Sequence, residues 1–175
     1  DRAMKGGIGS ASIRGRDGLV VGALIAANPL GDVIDPASGE VIAGVRTEDG
    51  TAMADARRLL RDEPGGGEPA VHENTVIGVV ATNAALTKPE ATMVARMAHD
   101  GLARAVWPAH TPWDGDTLFV LATGEASDGA GSPGADLIEI GALAADAVAE
   151  AIVRAVRAAE SLTGLPAAGD LGGSP

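Results

Sequence analysis

A threonine at the end of a charged, glycine-rich segment is the residue of this sequence with the clearest chemical potential. Residues 61–73 are rich in glycine, proline and charge, which is typical of an exposed linker, and they lead into Asn74 and Thr75. A threonine hydroxyl is a weak nucleophile until a base accepts its proton. Cleavage of the Asn74–Thr75 bond would give Thr75 an α-amine, which titrates at about 7.7–8.0 in model compounds and can act as that base. A threonine that merely begins a strand is the ordinary alternative.

A pair of aspartates two positions apart is the second feature with chemical potential. Asp114 and Asp116 flank Gly115 at the start of an apolar run. Because side chains at i and i+2 of an extended chain point to the same side, both carboxylates can face one group. An Asp-Gly-Asp turn that caps a strand is the structural alternative. A metal site of the kind that D-x-D pairs form in sugar-transfer enzymes is disfavoured, because no nucleotide-binding pattern accompanies the pair.

Asn28 is a third candidate, because it stands immediately before Pro29 at the end of an apolar run. Its side-chain amide can donate a hydrogen bond to an oxyanion that develops during acyl transfer. An ordinary Asn-Pro turn is the structural alternative.

The elements that must position these residues can be predicted from hydrophobic patterning. Short apolar runs that are rich in β-branched residues predict strands, and both faces of these runs are apolar, which predicts burial on two sides. The predicted strands cover residues 8–14, 19–27, 75–82 and 116–123. Apolar stripes at helical spacing predict one helix that begins after Thr87 and continues to residue 106, and a second from 135 to 160. Residues 51–60 suggest a short helix as well.

Composition excludes several classes of function. The formal net charge of −11 disfavours nucleic acid, whose phosphates require a basic surface. No apolar run reaches the roughly 18 residues of a membrane helix, so we expect no membrane partner. The absence of cysteine excludes disulfides and thiolate catalysis and fits a cytoplasmic location. No metal is expected, because the three histidines do not have the spacing of a metal site; they are His72, His99 and His110.

Four strings of the sequence resemble one family of hydrolases and occur in that family's order. They are ENTVIGVVATNA from 73 to 84, HTPWDGDTLF from 110 to 119, MKGGIGSAS from 4 to 12 and ANPLGDVID from 27 to 35. On these strings the chain resembles the P1 family of peptidases, peptidase family S58. This family includes DmpA-type L-aminopeptidase/D-esterases, β-peptidyl aminopeptidases and NylC-like nylon-oligomer hydrolases. The resemblance implies an α/β (α+β) fold, a four-layer α/β/β/α sandwich of the DmpA/ArgJ-like type that is similar to N-terminal-nucleophile hydrolases.

The resemblance also implies roles for individual residues. The precursor is expected to cut itself between Asn74 and Thr75, and Thr75 then becomes an N-terminal nucleophile. Asn28 is expected to hold the oxyanion, and Lys5 matches the family's active-site lysine, although a surface lysine is its structural alternative. Asp114 and Asp116 match the acidic pair of the nylon-oligomer branch: one is expected to orient the Thr75 amine, and the other to bind a substrate ammonium or position the hydroxyl. No cofactor is expected.

The same resemblance sets the expected organisation and partners. Residues 1–175 are expected to form a single partial domain, the C-terminal half of the family fold. Within it, residues 1–74 end the α-subunit with a linker at 61–74, residues 75–163 form the β-subunit, and residues 164–175 are a disordered tail. The expected partners are a small amide or peptide substrate, the N-terminal part of the same precursor and further copies in a homo-oligomer, a tetramer. Acyl transfer of the ornithine-acetyltransferase kind and an inactive fragment or interaction module remain the alternatives.

Overall fold

The computed structural model describes residues 2–62, 74–125 and 136–171. Its strands are β1 (Gly7–Arg14), β2 (Val20–Asn28), β3 (Asp32–Ile34), β4 (Val41–Ala43), β5 (Thr75–Thr82), β6 (Val106–Trp107) and β7 (Thr117–Ala122). Its α-helices are α1 (Ala56–Asp62), α2 (Lys88–Ala105), α3 (Leu137–Arg157) and α4 (Ala168–Leu171). The four predicted strands and the two long predicted helices are therefore confirmed, with small shifts at their ends. The predicted short helix begins later than expected, at Ala56.

The main sheet has the strand order β1-β2-β5-β7. β2 runs antiparallel to both β1 and β5, whereas β5 and β7 are parallel. α2 lies between β5 and β7 in the sequence, and a parallel pair requires a crossover of this kind. In the β2–β5 pair, Asn28 is opposite Thr75 at one end of the sheet.

The two long helices cover one face of this sheet at short range. α2 begins with a capping box in which the Thr87 hydroxyl accepts from the Glu90 N–H and the Glu90 carboxylate accepts from the Thr87 N–H. The helices approach the sheet and one another through small residues. A Cβ atom added to Gly9 would lie 2.2 Å from Ala151 O, and one added to Gly101 would lie 2.0 Å from Ala145 O. Alanine and glycine therefore take the place of the large aromatic side chains that this sequence largely lacks.

The opposite face of the sheet is exposed, which corrects the expectation that the strands are buried on both faces. Along β2 and β5 the side chains alternate between buried and more accessible positions. The physical reason is that both long helices pack on the same side, so within the described residues only one face is covered. We call the other side the open face; its large apolar side chains, each at least half exposed, are Ile8, Leu24, Ile77, Phe119 and Leu121.

A second, smaller sheet of strand order β4-β3-β6 lies beside the main one and was not predicted. Buried Asp32 fixes it to the following loop, because Oδ1 accepts from the Val45 N–H at 2.8 Å and Oδ2 accepts from the Ala56 N–H at 2.6 Å. Burial raises the pKa of Asp32 above its ordinary value. A Cβ on Gly44 would lie 1.9 Å from Asp32 Oδ1, so only glycine fits at that position.

The structure describes only part of the predicted C-terminal tail and part of the predicted linker. Residues 164–171, expected to belong to a disordered tail, are instead ordered: Leu162 and Leu165 form a bridge and α4 buries Ala168. Residues 172–175 of that tail lie outside the described residues. Most of the predicted linker, residues 63–73, also lies outside them, and residues 61–62 end α1.

Within the described ranges, no helix is both long and apolar enough to cross a bilayer.

Candidate active site

Thr75 is the first residue of β5 and lies at the end of the main sheet. Its pairing with Asn28 places both residues on the open face, since each alternates with a buried neighbour that faces the helices. The Thr75 hydroxyl donates a hydrogen bond to Asn74 O at 2.6 Å. The hydroxyl that was predicted to be the nucleophile thus lies beside the carbonyl of the bond that was predicted to break.

The loop before β7 contacts this peptide directly. Asn74 forms a parallel bridge with Asp114, and the Gly115 N–H donates to Asn74 O at 3.1 Å. A Cβ on Gly115 would lie 2.8 Å from Thr75 Oγ1, closer than ordinary contacts allow. The Asn74 carbonyl therefore accepts from both the Thr75 hydroxyl and a backbone N–H.

Asp116 holds the residue that follows the threonine. Its Oδ1 accepts from the Val76 N–H at 2.9 Å, and its Oδ2 lies 3.2 Å from His110 Nδ1. The Asp116 side chain is only 5% exposed. Val76 precedes the first β5–β7 pair, so this carboxylate supplies the acceptor that the neighbouring strand does not. This contact of His110 was not predicted from the sequence.

His110 in turn packs against a second histidine. The ring centroids of His110 and His99 are 5.0 Å apart. Burial lowers the pKa of His99, and the nearby His110 lowers it further. His110 has φ 55°, a left-handed conformation that is uncommon outside glycine. The His110 imidazole is therefore positioned against Asp116 by the left-handed backbone at His110 and by the neighbouring His99 ring. The lowered pKa of His99 favours the neutral form of that ring.

Asp114 has a different contact from Asp116. Its Oδ2 accepts from the Thr111 N–H at 2.8 Å, and its own N–H donates to Thr111 O at 3.1 Å. These two bonds close a tight turn over residues 111–114. Both aspartates thus accept from backbone N–H groups: Asp114 from Thr111 and Asp116 from Val76. The Thr75 hydroxyl donates to Asn74 O.

Lys5 and Asn28 line a cavity that also borders Asn74, the residue before the threonine. Lys5 Nζ donates to Gly6 O at 2.8 Å, and Lys5, Asn28 and Asn74 all line a cavity of 1070 Å³. Trp113, which is 39% exposed, lies on another wall. Most of the remaining lining is apolar, which suits a small organic substrate. In the part of the chain that the structure describes, no group of three or more histidine or acidic side chains is arranged to hold a metal ion.

The sequence has clear relatives. The model of peptidase family S58 matches residues 2–168. The chain belongs to peptidase family S58. Among the relatives of this S58 chain, an uncharacterized aminopeptidase of Mycobacterium leprae is 43% identical over an alignment that covers 93% of the chain and 47% of the relative. A 6-aminohexanoate-oligomer endohydrolase of Kocuria sp. is 28% identical over an alignment that covers 77% of the chain and 40% of the enzyme.

Solved structures of two aminopeptidases share the fold. A β-aminopeptidase of Burkholderia sp. superposes with a TM-score of 0.53 at 28% identity, covering 89% of the chain and 42% of that protein. An L-aminopeptidase D-Ala-esterase/amidase of Ochrobactrum anthropi, described as a variant of the Ntn hydrolase fold, gives 0.55 at 22% identity, covering 99% and 44%. The predicted α/β, Ntn-hydrolase-like fold class is confirmed.

The S58 chain spans about half the length of the curated relatives it matches. Its described residues contain one helix layer and one main sheet, which account for two layers of the expected four-layer sandwich. The residues that were predicted to form the site meet at one end of this sheet and beside the adjoining cavity.

Proposed function

We propose that this chain is part of a self-cleaving amide hydrolase of peptidase family S58, with Thr75 as its N-terminal nucleophile. The observation that carries the proposal is the position of the Thr75 hydroxyl, 2.6 Å from the carbonyl oxygen of Asn74 and opposite Asn28. A hydroxyl placed against its own preceding peptide can attack it. Cleavage at Asn74–Thr75 would create the α-amine that the hydroxyl needs as a base.

In the mature enzyme, the Thr75 amine takes the hydroxyl proton while Oγ1 attacks the substrate carbonyl. The Asn28 amide and backbone N–H groups hold the resulting oxyanion, which in general is worth about 10²–10³ in rate per donor. The protonated amine returns the proton to the leaving nitrogen, and water then releases the acyl group. Lys5, which lines the same cavity as Asn28, would either lower the proton affinity of the Thr75 amine through its positive charge or help to hold the oxyanion.

The proposed substrates are short peptides with a free amine, amides of β- or D-amino acids, or ω-amino acid oligomers. The names of two relatives support this range, since one is an aminopeptidase and another an oligomer endohydrolase. One aspartate of the Asp114–Asp116 pair would orient the Thr75 amine, and the other would bind an ammonium group of the substrate or position the hydroxyl. The chemistry that we propose for these side chains requires no cofactor.

We also propose that the N-terminal part of the same precursor covers the open face. Ile77 and Phe119 are 52% and 61% exposed there, and a contiguous apolar patch of this kind marks an interface in soluble proteins. A second sheet on this face would complete the four layers and would close the site around Thr75 and Asn28. Assembly of the completed protein into a homo-oligomer, a tetramer, remains part of the proposal.

The proposal is tested by expressing the full precursor with Thr75 intact and as Thr75→Ala. Two fragments that separate at Asn74–Thr75 are expected from the first, and one uncut chain from the second. Thr75→Ser is the matched control, because it keeps a hydroxyl and should still be processed. Equal processing of the native and Thr75→Ala precursors would rule out this nucleophile.

The processed protein is then given short amide substrates with and without an added amine acceptor. Hydrolysis without the acceptor is expected. Turnover that occurs only when the acceptor is present would instead assign acyl transfer.

A further inference from the structure

Gly115 contacts both atoms that must react if the chain cuts itself. Its N–H donates to Asn74 O at 3.1 Å, and the position of its missing side chain lies 2.8 Å from Thr75 Oγ1. Its backbone conformation is one that alanine also adopts, since its φ lies outside the left-handed region. The requirement for glycine therefore comes from the neighbouring hydroxyl rather than from the backbone.

We propose that Gly115 is a catalytic residue of self-cleavage, polarising the Asn74 carbonyl through its N–H and leaving the space that Thr75 Oγ1 occupies. The inference rests on the proposed cleavage at Asn74–Thr75. A backbone donor that is already in place at the scissile oxygen stabilises the charge that develops there without any rearrangement.

The step is an N-to-O acyl shift. Thr75 Oγ1 forms a bond to the Asn74 carbonyl carbon, the bond from that carbon to the Thr75 nitrogen breaks, and the hydroxyl proton passes to that nitrogen. Negative charge collects on Asn74 O before the C–N bond breaks, and the Gly115 N–H points at that atom. Water then hydrolyses the ester, which restores the hydroxyl and leaves a carboxylate on Asn74.

The surrounding loop fixes the Gly115 N–H in place. The Asp114 turn lies on one side of the glycine, and the Thr117 hydroxyl donates to Gly115 O at 3.1 Å on the other. Asp116 meanwhile holds the Val76 N–H, so both ends of the loop are tied to β5 or to themselves. The donor is thus preorganised by contacts that do not involve the reacting atoms.

The test uses Gly115→Ala in the full precursor, with Gly169→Ala on α4 as the matched control. A Cβ on Gly169 meets no atom within 4 Å, and this exposed position lies away from the open face, so this control should cleave at the native rate. Alanine at 115 contacts the end of the Thr75 side chain, which can rotate. The Gly115→Ala precursor should therefore fold but cleave about 100-fold more slowly, because the hydroxyl is displaced from its carbonyl.

Hydroxylamine separates a block in ester formation from a block in ester hydrolysis, because it cleaves esters. It should not accelerate cleavage of folded Gly115→Ala, in which the ester does not form. Native-rate cleavage of this variant, failure of this variant alone to fold, or full acceleration by hydroxylamine would each overturn the assignment. Thr75→Ala distinguishes the two proposals: if it is cut normally, self-cleavage by Thr75 is wrong; if it is blocked while Gly115→Ala cleaves normally, only the role of Gly115 is wrong.

Discussion

Removal of the Asp116 carboxylate should destabilise the protein through the backbone next to the nucleophile. Oδ1 accepts from the Val76 N–H at 2.9 Å, and Val76 is fully buried. In Asp116→Ala that donor has no acceptor, and a buried unsatisfied group costs about 1–3 kcal/mol. Asp116→Asn keeps an oxygen for Val76, and its amide can donate to the Nδ1 atom of a neutral His110. The alanine variant should therefore be less stable than the asparagine variant by about 1–3 kcal/mol.

The comparison requires a constant covalent state. Both variants are made in a Thr75→Ala precursor, which the account expects to remain uncut, and urea unfolding is followed by circular dichroism. If the two slopes agree, the difference between the midpoints multiplied by the common slope gives the difference in free energy of unfolding. Equal stability of Asp116→Ala and Asp116→Asn would refute the reasoning, because it would show that the hydrogen bond to Val76 contributes nothing.

Three further predictions concern the rest of the fold. Phe119→Ala should destabilise the full precursor by about 3–5 kcal/mol if the open face is covered, whereas a change within about 0.5 kcal/mol would show that it is exposed. Gly9→Ala should cost at least about 1–3 kcal/mol in urea unfolding, since its Cβ would lie 2.2 Å from Ala151 O; a neutral result would contradict the close packing of β1 on α3. Burial raises the pKa of Asp32, so its contribution to stability is complete below the unfolded value of about 3.9 and is lost as the pH rises through the folded value. The unfolding free energy of the native protein minus that of Asp32→Asn should therefore decrease with rising pH from about 4 upward, and a flat difference would be the contrary result.

The elements of the main sheet could be predicted from the sequence because their signals are local. β-branched apolar runs marked β2 and β5, and Thr87 with Glu90 marked the start of α2. The pairing of Asn28 with Thr75 was not predicted, because strand order and register depend on long-range contacts. The short strands β3, β4 and β6 could not be predicted, since two or three residues are too few to show a period.

Burial and long-range contacts were the parts that sequence reasoning missed. An apolar strand face indicates that something covers it, but the pattern does not say whether the cover belongs to the same segment, and within the described residues Leu24 and Phe119 are more than half exposed. The contact of His110 with Asp116 depends on a left-handed backbone at His110 that no local pattern predicts. The importance of Gly115 depends on the position of Thr75, which is distant in the sequence.

The most direct test of the central claim is the N-terminal residue of the smaller subunit in purified, active enzyme made from the full precursor. Intact mass and N-terminal sequencing should both show a chain that begins at Thr75, with the sequence Thr-Val-Ile-Gly. An active enzyme in which the Asn74–Thr75 peptide bond is intact would contradict the account, because Thr75 would then have no amine to accept its proton.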